Sequence, residues 1–143
     1  MFDNIESELK TRLQAKLPAG THVLTTTDLA GATEASQPTP AVHLVYQNYR
    51  VIESRPDGRA ARIQQTWLTV IAVRNVRNTR SGAAARSEAT ELASLLAPAL
   101  MGFKPTGAAK PLTLVTAPQA SYSTGHQYLP LAFAVETTLT AKA

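Results

Sequence analysis

The chain has 143 residues, 44% of them hydrophobic and 17% charged, with 14 Lys+Arg against 10 Asp+Glu and no Cys. A chain of this length is expected to form one domain over residues 1–143, burying roughly two-thirds of its unfolded surface without a disulfide or zinc staple. Zero Cys excludes disulfide scaffolds, Cys-ligated zinc, iron–sulfur clusters and thiol catalysis. No apolar run approaches the roughly 20 residues of a membrane span. The acidic, polar start Met1-Phe2-Asp3-Asn4 does not read as a signal peptide. The expectation is a small, soluble, intracellular domain with no membrane partner.

Residues 3–17 read as an amphipathic helix. Phe2, Ile5, Leu9, Leu13 and Leu17 recur at three- and four-residue spacing, with Glu6, Lys10, Gln14 and Lys16 elsewhere. Asp3 or Asn4 can cap its start, and Pro18-Ala19-Gly20 stops it. A short extended piece follows at residues 21–25. Residues 30–40, rich in Gly, Ala, Ser, Thr and Pro, read as a surface loop.

The middle of the chain predicts strands. Residues 41–46 and 49–54 are β-prone, separated by a kink at Gln47-Asn48. Arg55-Pro56-Asp57-Gly58-Arg59 is a turn, in which Pro presets φ and Gly supplies a positive φ. Residues 61–74 alternate: Ile63, Gln65, Trp67, Thr69, Ile71 and Val73 point one way, and Gln64, Thr66, Leu68, Val70 and Ala72 the other. The second half is apolar on both faces, which places it centrally in a sheet. The two segments make an extended hairpin with an Arg-rich tip.

Residues 75–79 form a polar connector, and residues 81–101 a second helix. Ser81 can cap this helix, and its stripe runs through Ala85, Ala89, Leu92, Leu95, Leu96 and Leu100, with Pro98 kinking or ending it. Residues 102–111 and 118–128 read as loops around a short strand at 112–116. Finally Leu131, Phe133, Val135, Thr137 and Leu139 alternate as a core face against Ala132, Ala134, Glu136 and Thr138. The fold class is α+β: a mostly antiparallel sheet with two helices packed on one face and a projecting β-hairpin.

Charge is unevenly placed. Between Arg50 and Arg86 there are eight arginines and two acids, a local excess of +6, whereas the remainder carries six basic and eight acidic residues. These arginines either solvate a strand pair and its loops or face an acidic partner surface or nucleic acid. No nucleic-acid motif supports sequence readout.

No catalytic constellation stands up. His22, His43 and His126 lack metal-ligand spacing, and His43, flanked by Val42 and Leu44, reads as an exposed or sheet-edge residue. The hydroxyls of residues 121–124 beside His126 lack a nucleophile elbow. Lys104, between Gly102 and Gly107, lacks a phosphate-loop ending. Arginines around Glu53 and Asp57 favour their ionised forms, the reverse of a general acid. Tyr46, Tyr49, Trp67 and Phe133 could stack on bases, but Trp67 on the central strand reads better as packing. No enzyme activity, metal or cofactor is expected.

The segment Tyr49-Arg50-Val51, Glu53-Ser54-Arg55-Pro56-Asp57-Gly58-Arg59-Ala60-Ala61-Arg62-Ile63, Gln65-Thr66-Trp67-Leu68, Ala72-Val73-Arg74-Asn75 resembles the tail terminator proteins of Mu-like phages and prophages, found with contractile tails. The helix leading to Leu17-Pro18-Ala19-Gly20 and the entry Thr39-Pro40-Ala41-Val42 fit the same resemblance. It implies a small α/β domain that forms a six-membered ring, caps the finished tail tube, halts its growth and presents a surface to the filled head. DNA passes through the lumen. The implied place is the neck end of a virion tail, assembled in the host cytoplasm. The implied partners are other copies of the chain, the tube protein and a head-completion or neck protein.

A ring subunit needs a heterologous interface, one patch meeting a different patch on its neighbour. The candidate subunit or tube interface is Arg50, Arg55, Asp57, Arg59 and Arg62, with Asp3, Glu6 and Glu8 as acceptors. Arg74, Arg77 and Arg80 are candidate lumen or interface charges. The alternatives are another neck or tail-completion protein, or a small nucleic-acid-binding module.

Overall fold

The computed structural model describes residues 2–30, 36–74, 83–123 and 125–142. Helix α1 (Phe2–Lys16) leads to β1 (His22–Thr25), a single turn α2 (Thr26–Leu29), and the long strands β2 (Ala41–Ser54) and β3 (Ala60–Arg74). Then come α3 (Ala83–Leu100), two short strands β4 (Thr113–Val115) and β5 (Ser121–Ser123), and the long β6 (His126–Thr140). The fold is α+β, with a mostly antiparallel sheet in the order β1-β2-β3-β6-β4, β5 pairing the start of β6, and β1–β2 the one parallel pair among the described residues.

Helix α1 exists because its four-residue spacing puts Ile5, Leu9, Leu13 and Leu17 on one buried face. Pro18 ends it, since the residue before a proline avoids the α region. The helix starts at Phe2, so Asn4 lies within its first turn rather than at the cap; its amide bonds Glu8 and the Thr106 carbonyl instead. In α3 the buried stripe is Ala89, Leu92, Leu96 and Leu100. Leu95, expected in that stripe, is 45% exposed, because one residue before Leu96 is a 100° step around the helix. The helix runs through Pro98 and ends two residues later. The Arg12 guanidinium donates to the Ala99 carbonyl at 2.7 Å, a cation at a helix C-terminus where a carbonyl lacks its intrahelical partner. The expected cap Ser81 and the side chain of Ala85 lie outside the described residues.

Strand β3 is central. Ile63, Gln65, Trp67, Thr69, Ile71 and Val73 are all buried on one face, as their alternation predicts. Trp67, Ile71 and Val73, with Phe133 and Val135 of β6 and the apolar stripes of α1 and α3, form one core. Both long helices thus cover one sheet face. The opposite face carries Val45, Leu68 and Val70, each half-buried.

Strand β6 runs beside β3 for its whole length, from Ala60↔Thr140 to Arg74↔His126. The β2–β3 hairpin is therefore flanked by a third strand as far as its tip. Two sequence expectations change here. Residues 121–123, expected within a loop, form β5, which pairs with residues 126–128 of β6. Leu139, expected in the core, is 37% exposed because it lies beside Ala61 near the tip, away from the helices.

Candidate functional site

The hairpin tip is a braced turn. Gly58 donates its amide to the Arg55 carbonyl at 2.9 Å, with φ +74°, a conformation that glycine adopts without a Cβ clash. The Arg55 amide closes on the Ala60 carbonyl at 2.9 Å. Asp57 uses both oxygens inside this turn: Oδ1 accepts the Arg59 amide at 3.0 Å, and Oδ2 the Arg55 guanidinium at 2.8 Å. The Ala141 amide donates to the Arg59 carbonyl at 2.7 Å, tying the end of β6 to the tip. Asp57 and Arg55 thus hold the turn. The exposed Arg59 and Arg62 side chains have no partner among the described residues.

Two bulges give the hairpin two chemically different faces. The pairing of β2 with β3 slips between Tyr46 and Asn48 and again between Val51 and Glu53. The first slip is where the sequence predicts a kink, and it turns Tyr49 and Val51 onto the helix side, opposite Gln65 and Ile63. Both are 53% exposed. On the other side, Arg50 donates to Gln64 at 2.9 Å, and in the next strand Glu136 pairs with Lys110 at 3.3 Å. Glu53 lies opposite Arg62 on that same side. One face is aromatic and aliphatic, and the other is charged.

Where the helix side meets the end of α1, an open notch of about 420 Å³ is lined by Phe2, Glu6, Tyr46, Tyr49 and Trp67. The Phe2 and Tyr46 rings meet edge-on at 5.5 Å, and Tyr46 and Trp67 at 5.2 Å. Burial, and to a lesser degree Tyr49, push the Tyr46 phenol above its ordinary pKa. Trp67 itself is 2% exposed, which leaves it no face for base stacking. Of the expected acceptors, Glu6 is half-buried at the notch with no described partner. Glu8 is committed internally, accepting from Asn4 and from the amide and hydroxyl of Thr106. Asp3 lies in α1, its side chain outside the described set.

Of the candidate lumen charges, Arg74 does not join this site. Arg74 is at the opposite end of β3 from the tip, about 46 Å along the strand at 3.3 Å per residue. Arg77 and Arg80 lie outside the described residues. The excess of +6 seen in the sequence is therefore not one patch. His43, expected at an exposed or edge position, is 7% exposed. Strand β1 covers it through Leu24↔His43, and the Tyr128 ring lies 6.3 Å away.

The notch was not legible as a site in sequence. Its signal was two tyrosines, Tyr46 and Tyr49, three residues apart in a strand, a spacing that shares a face only across a bulge.

A family model described as phage tail terminator protein matches residues 2–143. No curated protein matches the chain.

Proposed function

The chain belongs to the phage tail terminator family and is a structural component of a phage tail; from that premise we propose that it closes into a ring, six-membered as in the family it resembles, on the end of the tail tube. The ring occupies the growing end, stops addition of tube protein, and offers its outer surface to a head-completion or neck protein. Its place is the neck end of the virion tail, and it assembles in the bacterial cytoplasm. The action is steric and requires no catalysis or cofactor.

The observation that carries this reading is the pair of unlike surfaces on one chain. A braced tip presents Arg59 and Arg62 without described partners, and a separate notch presents aromatic rings and Glu6. Unlike patches on one subunit are what a heterologous, ring-closing contact requires. Six copies at +4 each carry about +24, compatible with a conduit for DNA. The separation of Arg74 from the hairpin tip favours subunit contacts over a single groove tracking phosphates.

The test is Arg59→Glu with Arg62→Glu in the parent element. The expected result is a folded chain, with unchanged circular dichroism, and tails of scattered, excessive length. Normal tail length with full infectivity contradicts it. Tails of normal length that fail to join heads reassign the chain as a joining protein.

A further inference from the structure

We propose that the notch lined by Phe2, Glu6, Tyr46, Tyr49 and Trp67 receives the Arg59 guanidinium of a second copy of this chain. The inference rests on the ring reading above and names the contact that closes it.

The chemistry of the notch lining, aromatic rings beside a carboxylate, points to a cation. The notch joins aromatic rings to one carboxylate, Glu6, that no described side chain neutralises. A guanidinium within about 6 Å of an aromatic ring is attracted by its quadrupole, and arginine makes this contact more often than lysine. A carboxylate beside the rings adds the opposite charge and matches the planar fork of arginine.

Arg59 is the tip cation suited to it. Arg55 is held by Asp57, and Arg50 by Gln64. Arg62 lies on the charged face, opposite Glu53, turned from the notch side. Arg59 sits in the turn itself, its backbone fixed by Asp57 and Ala141 and its side chain exposed.

The occupant has to come from another chain. Tyr49 lies opposite Gln65, six residues along β3 from Arg59. That is about 20 Å at 3.3 Å per residue, beyond the reach of one side chain. Tip and notch on one subunit therefore face two different neighbours, the condition for a closed ring or an open filament.

The absence of Cys makes the contact traceable. Ser7→Cys and Ser54→Cys are small changes at exposed positions beside Glu6 and the tip. Tails assembled with the full-length double variant are treated with a short bismaleimide. The expected result is a ladder of linked subunits, at least tenfold weaker in an Arg59→Glu background and restored by adding Glu6→Arg. Replacing Ser7→Cys by the exposed Tyr122→Cys should give no ladder. An amine-reactive linker on the same tails separates the two readings. A ladder with that linker but none between positions 7 and 54 overturns the notch contact and leaves the ring. No ladder with either overturns both. Failure of Glu6→Arg to restore linkage also overturns the pairing.

Discussion

The indole Nε1 of Trp67 donates to the side-chain Oε1 of Gln65 at 3.0 Å, two residues away on the same face of the central strand. Gln65 passes the connection on, its Nε2 donating to Thr137 Oγ1 of β6 at 3.0 Å. All three residues are buried, so a polar glutamine serves the core by satisfying the tryptophan that lines the notch.

Replacing Gln65 by leucine keeps the volume and strands the indole N–H in an apolar setting. The expected loss is about 1–3 kcal/mol of stability, the cost of an unsatisfied buried donor, measured by urea unfolding with the slope unchanged. A change below about 0.5 kcal/mol contradicts the role assigned to this network.

Burial pushes the His43 imidazole below its usual 6.5, and its Nε2 has no described hydrogen-bond partner. His126 and Tyr128 of β6 share its side of the sheet. The unfolded chain takes up the proton near pH 6.5 and the folded chain only at lower pH. Stability from this group is therefore complete above about pH 6.5 and declines as pH falls below it. Urea midpoints at about pH 7.5 and about pH 5.5 should differ less in His43→Leu than in the natural chain. An identical difference in both refutes the assignment.

Glu8 clamps residues 102–111 to α1. Its carboxyl is held below the ordinary 4.5, first by the Asn4 amide and then by the Thr106 backbone N–H, with burial opposing. The clamp is complete above the unfolded pKa and is lost as pH falls through the lower, folded one. Glu8→Gln should raise hydrogen exchange at the Thr106 amide about tenfold, since bonds to a charged acceptor are the stronger ones. Exchange in the β3–β6 ladder should not change. Equal acceleration in both places contradicts a local clamp.

What the sequence revealed and hid follows from the range of the forces involved. The helical period of Ile5, Leu9 and Leu13, the alternation of β3 and the Pro-Asp-Gly turn are local patterns, and each appears as expected. The kink at Gln47-Asn48 was also visible, but not its consequence, because the side that Tyr49 faces depends on how β2 registers against β3. His43 and Leu139 were misplaced for a related reason. Burial at a strand residue is set by the neighbours across the sheet: β1 covers His43, while nothing described covers Leu139 at the tip. Strand β5 has a polar composition suited to a loop, and pairs only because β6 extends past it. The arginines were legible as a run in sequence, but not that a 15-residue strand carries Arg62 and Arg74 to opposite ends.

The most direct test of the central claim is tail length. The gene is deleted from its parent element, particles are induced, and tails are measured by electron microscopy. Overlong, headless tails of scattered length are the predicted result, because nothing then occupies the growing end of the tube. Tails of uniform, normal length would contradict termination, whether or not heads attach to them.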